Sequence, residues 1–169
     1  MCIKDIYKEF TRMSEYTKSI GLLLLRFMLA YTFFQPAMMK WNDIDSVISW
    51  FTYMGIPFPA LNAYMAASTE MTGVVLLTLG FLTRFISIPL IVIMFVAIAT
   101  VHGHNGFAFV DEAVQFTNAY VNGNLVEGTI IKLQNGYELV VYYILMLLVL
   151  LGNGAGKFSL DRLIFGERN

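Results

Sequence analysis

Residues 19–39 read SIGLLLLRFMLAYTFFQPAMM, and residues 60–82 read ALNAYMAASTEMTGVVLLTLGFL. Each stretch is long enough to cross a bilayer, which takes roughly 20 mainly apolar residues at 1.5 Å rise each. Each also carries a single charge, Arg26 in the first and Glu70 in the second. An ionisable group at that depth is costly unless it meets a partner, so a charge there is a functional-site candidate by default. If the first helix leaves the cytoplasm near Ser19, Arg26 lies about 10 Å in and Glu70, counted back from Leu82, about 18 Å. A long guanidinium side chain covers most of that difference, so the expectation is an Arg26–Glu70 ion pair ordering the core.

The surroundings of both charges agree with burial. Arg26, Ala30, Phe33, Ala37 and Lys40 fall within roughly 40° of one line at 100° per residue, a face that should point into a bundle. Glu70 shares its face with Ala63, Ala66, Ala67 and Gly73, small residues that let helices approach closely. Composition says the same of the whole chain. Hydrophobic residues make up 57% of 169 and charged residues 14%, against roughly half and a quarter in soluble proteins, which marks an integral membrane protein. A net charge of -1 excludes a nucleic-acid binder with an electrostatic footprint. The single cysteine, Cys2, excludes an intramolecular disulfide and CxxC chemistry. No cleavable signal-peptide pattern is present.

Working outward, residues 3–18 place Ile3, Ile6, Tyr7, Phe10 and Met13 at helical spacing among Lys and Glu, predicting a short amphipathic segment on the membrane surface ahead of the bundle. Residues 42–59 are too polar to span. They predict a short interfacial helix starting near Asp43 or Asp45, ended by Gly55-Ile56-Pro57-Phe58-Pro59, with Trp41, Trp50 and Tyr53 at headgroup depth. Two further apolar runs, about 85–102 and 136–151, complete four predicted spans with those at about 19–39 and 60–82. The fold class is therefore all-α, an integral membrane bundle of four transmembrane helices, with residues 1–18 as a cytoplasmic segment and 19–163 as the membrane domain. Residues 103–135 are the longest extramembrane stretch, and their Asn-Gly and Glu-Gly steps among β-branched runs predict a small hairpin over 119–133. Eight of the ten Lys and Arg residues outside the spans fall on the N-terminal segment, the connection at Arg84 and the tail; Lys40 and Lys132 are on the other side. The positive-inside rule then makes both termini cytoplasmic.

The remaining polar residues form a second tier at the outer end: Lys40, His102, His104 and Glu138, with Tyr142 one turn beyond Glu138 on the same face. Such a polar pocket in an apolar bundle suits the headgroup of a quinone or a similar amphiphile. Glu138 and His102 would handle protons, and Arg26, Lys40, Glu70 and Tyr142 would line the ligand site. Duller roles compete with these: a structural lock for the buried charges, snorkelling for Lys40, a helix-dipole partner for Glu138. His102 and His104 diverge by about 200° on a helix and are metal candidates only if the chain unwinds there.

In order along the chain, LLLLRFMLAYTFFQPAMMKW, GIPFPALNAYMAASTEMTGVVLLTLGFLTR, VHGHNGFAF, NGYE and GNGAGKFSLDRL resemble the DoxX family of small bacterial four-helix membrane proteins. The matching positions are Arg26 and Lys40; Gly55, Pro57 and Pro59; Glu70 and Gly73; His102, Asn105 and Gly106; Asn135, Gly136 and Glu138; and Ser159, Leu160 and Asp161. His104 and the 109–134 insertion depart from the usual pattern. The resemblance implies a redox-associated subunit of the bacterial inner membrane, working with other membrane or extracytoplasmic subunits. No dinucleotide fingerprint or CxxCH is present, so no flavin or covalent haem site is expected. A rival expectation is a non-catalytic assembly subunit that docks through 109–134.

Overall fold

The computed structural model describes residues 3–108, 110–121, 124–133 and 136–166, with side chains outside residues 1–6, 8, 13, 15, 104 and 109–135. Two compact units make up the chain. The first takes the residues up to Ile93 and from Ile144 onward, and the second is Met94–Tyr143.

Helices form the whole of the first unit. Helix α1, Ile3–Asn42, is one continuous helix of 40 residues. The expected separate surface segment at 3–18 is therefore the opening of α1 itself, because nothing between Thr17 and Ser19 breaks a helix. After α1, Asp43 caps α2, Ile44–Tyr53, its carboxylate accepting from Ser46 N at 3.2 Å. The Ser46 side chain first, and this backbone bond after it, hold the Asp43 carboxyl below the usual carboxylate range. Helix α2 coincides with the short helix expected after the first run, and Pro59 then opens α3, Pro59–Leu79, at a position where a missing N–H costs nothing.

Helix α3 ends three residues earlier than expected. Gly80 turns left-handed at φ 65°, and Gly80 N and Phe81 N return to Leu77 O and Leu76 O, closing a Schellman motif. The next helix, α4, runs Thr83–Ala97. The C-terminal half of α5, Glu138–Asn153, and the short α6, Leu160–Phe165, complete the unit. Bonds from Arg26 to Leu77 and from Trp41 to Ala67 make α1 and α3 antiparallel. Both predicted faces turn inward: Arg26, Ala30, Phe33 and Ala37 are buried on α1 and Ala63, Ala67, Glu70 and Gly73 on α3, with Lys40 and Ala66 half-buried and Gly73 lying against Leu90 of α4.

Two helical stretches are both long and apolar enough to cross a membrane, Glu9–Asn42 and Thr83–His102. Helix α3 has the length, but its Ala, Thr and Asn residues dilute it, and α5 is apolar but only 16 residues long. A helix in a soluble core would be covered on most sides, yet only 17% of the apolar window in Thr83–His102 is buried within the protein. The exposed side chains are large and apolar: Leu24, Met28 and Tyr31 on α1, Leu61 and Met65 on α3, Phe85, Ile88, Val92 and Phe95 on α4. Belts of this extent mark a surface that faces hydrocarbon.

In the second unit the end of α4 widens into a π turn over Ile98–His102 and then tightens into a 3-10 turn over Gly103–Asn105. Tyr137 N and Glu138 N donate to Gly106 O and Phe107 O at 3.1 and 2.9 Å, forming a stem, with the Phe107 and Tyr137 rings edge to face at 5.3 Å. Strands β1, Val110–Val121, and β2, Asn124–Leu133, pair antiparallel between the two sides of the stem. Pairing at Ala119↔Val126 and Val121↔Asn124 coincides with the expected hairpin, and the first strand starts nine residues before Ala119. The stem leaves no room for a side chain at Gly136, where a Cβ would sit 2.3 Å from Ala108 O. Gly136→Ala is expected to open the stem at a cost of about 1–3 kcal/mol, seen as faster hydrogen exchange at the Tyr137 and Glu138 amides with the α1–α3 amides unchanged.

Candidate functional site

Every Cα–Cβ bond in an α-helix tilts toward the N-terminus of its helix. In the antiparallel pair α1/α3 this tilt drives Arg26 and Glu70 apart. Arg26 leans toward the start of α1, beside the end of α3, and Glu70 leans toward the start of α3, beside the end of α1. Lys40, in the last turn of α1, leans back onto Glu70. The expected Arg26–Glu70 ion pair is therefore replaced by two separate arrangements.

The first is the Lys40–Glu70 pair. Lys40 Nζ donates to Glu70 Oε2 at 2.6 Å and to Oε1 at 2.8 Å. The Glu70 side chain is 4% exposed and that of Lys40 18%, so the pair is shielded from solvent mainly on the carboxylate side. Small residues one turn either side of Glu70, Ala67 and Gly73, permit the helix approach that buries it. Trp41 flanks the pair: its indole N–H donates to Ala67 O at 3.2 Å, and its ring meets Tyr64 edge-on at 6.2 Å. A carboxylate and an ammonium in contact, with aromatic rings beside them, can exchange their mutual bond for bonds to a polar headgroup carrying both acceptor and donor oxygens.

The second arrangement is the Arg26 cage. Its guanidinium donates to Leu77 O at 3.0 Å and Thr78 O at 3.3 Å, carbonyls of the last turn of α3, the first of which also accepts from Gly80 N. It also donates to Ala155 O at 2.7 Å and Phe158 O at 2.8 Å, in the turn after α5. Last-turn carbonyls are unsatisfied within their own helix and form the negative end of its dipole, so they receive a buried cation well. Gly80 lines this cage, and a Cβ there would lie 2.6 Å from the guanidinium. Asp161 braces the same end. Its carboxylate accepts from Leu82 N and Thr83 N at 2.7 and 3.1 Å, while its own N–H donates to Gly80 O at 2.9 Å. The local signal for this role is Ser159 two residues earlier: its hydroxyl caps α6 by accepting from Arg162 N, which presents Asp161 to the α3–α4 turn.

The other predicted residues belong to the second unit. Tyr142 Oη donates to Glu138 Oε1 at 2.6 Å, one helical turn apart. His102 sits half-buried in the π turn, and a wide turn of this kind reorients the residues that follow it. The side chain of His104 lies outside the described residues. Among the described residues no three His, Cys, Asp or Glu side chains gather as metal ligands.

A family model described as DoxX matches residues 21–103. A protein of Haemophilus influenzae (strain ATCC 51907 / DSM 11121 / KW20 / Rd) named "Uncharacterized protein" is 32% identical over 161 residues, covering 90% of this chain and 89% of its own. A protein of Bacillus subtilis (strain 168) named "Putative oxidoreductase CatD" is 33% identical over 82 residues, 48% of this chain and 60% of its own. No solved structure matches the chain.

The pairing of the buried charges has a direct test. In a double-mutant cycle on unfolding in detergent, Lys40→Met and Glu70→Gln are expected to couple by about 1–3 kcal/mol. Arg26→Met and Glu70→Gln share no partner and should add to within about 0.5 kcal/mol. A coupling of the first size between Arg26 and Glu70 would restore the pair expected from depth alone.

Proposed function

The chain belongs to the DoxX family, and from that premise we propose a redox-associated inner-membrane subunit that binds a quinone-like amphiphile. Helices α1, α3, α4 with its π turn, and α5 then act as four spans, with both termini cytoplasmic. The observation that carries the reading is the Lys40–Glu70 pair, a bidentate ion pair buried between two helices and flanked by Trp41 and Tyr64. A structural lock needs no exposed route, yet Lys40 keeps part of its surface open. A quinone carbonyl accepts from the Lys40 ammonium, and Glu70, freed from that bond, exchanges a proton with the ring oxygen. The oxidoreductase name of the Bacillus subtilis relative supports redox chemistry of some kind.

Reducing a quinone to a quinol takes two electrons and two protons. The chain carries no CxxCH, no dinucleotide fingerprint and one cysteine, so the electrons come from a partner subunit. Within the second unit, Glu138 with its Tyr142 hydrogen bond, and His102 with a ring nitrogen that can accept and one that can donate, are the groups suited to carry protons. Mild purification, organic extraction and mass spectrometry should recover a near-stoichiometric quinone from the wild-type protein. Lys40→Met and Glu70→Gln should each lose it at least tenfold, about 1.4 kcal/mol of binding. Equal recovery from both variants would remove the ligand site from this pair.

The β1–β2 hairpin favours a second reading, a subunit whose role is assembly. A two-stranded hairpin is marginal by itself in water, and a protein surface laid along it would complete it. Deleting residues 110–133 should then abolish co-purification of a partner while leaving quinone content intact. A partner that still co-purifies would count against docking through the hairpin.

A further inference from the structure

Near the cage of Arg26, the first unit carries an open groove of about 370 Å³ between the start of α4, the turn after α5, and α6. Arg84, Phe85, Asn153, Asp161, Arg162 and Phe165 are among its lining residues. The charges do not cancel. Arg84 and Arg162 bring two positive charges against the single carboxylate of Asp161, a balance of +1. That carboxylate is already engaged by Leu82 N and Thr83 N, so it repels an incoming anion less than a free one would. Arg84 is exposed and donates one N–H to Gly152 O at 3.2 Å, which leaves most of its five-donor fork for the groove.

The rim is apolar in a way that water does not favour. Phe85 is 73% exposed and Phe165 63%. Phe165 stacks on Phe81 at 6.3 Å, which holds a flat aromatic surface beside the cations. Cations forked toward an acceptor and large exposed apolar groups next to them describe a ligand that is anionic at one end and greasy at the other. By the Lys and Arg distribution this end of the protein faces the cytoplasmic leaflet, where anionic lipids attract basic pockets between helices.

We propose that this groove binds the phosphate headgroup of an anionic phospholipid, with Arg84 and Arg162 on the phosphate and the acyl chains over Phe85 and Phe165. The proposal rests on the membrane reading and its orientation, and is independent of the quinone site. The test is lipid retention by the full chain, scored by native mass spectrometry after exchange into phosphatidylglycerol or phosphatidylcholine, with inorganic phosphate as competitor. The wild-type protein should retain phosphatidylglycerol selectively, and phosphate should fail to displace it. Arg84→Gln with Arg162→Gln should weaken retention by roughly thirtyfold, whereas Lys18→Gln on the same leaflet should change it by less than about twofold. Arg84→Lys with Arg162→Lys keeps the charge and should lose much less than the glutamine pair. Equal retention by wild type and the glutamine pair, or no preference over phosphatidylcholine, would overturn the proposal. So would equal loss in the glutamine and lysine pairs, which would make the arginines structural, or displacement by phosphate, which would make the groove a small-anion site. Failure of the wild-type chain to enter a bilayer at all would overturn the membrane reading with it.

Discussion

A guanidinium buried among apolar helices must be given acceptors or it will not stay buried, and the first unit is arranged to supply them. Arg26 is 1% exposed and hydrogen-bonds to four backbone carbonyls from two chain segments. Two of those carbonyls exist as acceptors only because α3 stops at Gly80, and two only because the chain after α5 turns back beneath it. One side chain thereby joins α1, the end of α3 and the turn that follows α5. Asp161 then ties that turn to the first residues of α4 through two amides. Removing the guanidinium would take a donor from all four carbonyls; Leu77 O would keep Gly80 N, and a carbonyl left unsatisfied costs about 1–3 kcal/mol.

With Arg26 satisfied by the backbone, Glu70 becomes available to Lys40. The consequence for function is that the two buried ionic features have different characters. The Arg26 cage engages four of the five guanidinium N–H groups, all with main-chain carbonyls of the end of α3 and the turn after α5. The Lys40–Glu70 pair is made of two side chains, one of them partly open, and side chains can swing. A buried pair of this kind adds little to stability compared with an apolar pair of the same volume. The groove at Arg84 and Arg162 differs again, an open cationic surface with its own apolar rim.

The second unit departs from helical packing. The π turn at Ile98–His102 ends α4 by widening it, and the stem at Gly106–Phe107 and Tyr137–Glu138 gathers the chain before α5 begins. Between the two sides of that stem lies the hairpin. Among the described residues, Tyr137 N and Glu138 N hold the two ends of this segment together on Gly106 O and Phe107 O.

Many of these features are legible in the amino-acid sequence. The apolar runs, the inward stripe from Arg26 to Ala37, the small-residue face around Glu70, the cap at Asp43, the breaker at Gly55–Pro59 and the Asn-Gly hairpin are all local patterns, and periodicity or a single residue's backbone preference reads them. What the sequence could not decide was which charge meets which. Depth along a membrane normal put Arg26 and Glu70 within reach of each other, but depth ignores the direction in which side chains leave a helix. In two antiparallel helices that direction is opposite, so the pair separates and each charge takes a partner near the end toward which it leans. Asp161 was hidden for a related reason, since its partners are amides 78 and 79 residues away. The sequence by itself determined which faces are buried, because burial follows from the period of one helix. Only the tertiary structure decided the pairings, because a pairing depends on the relative direction of two.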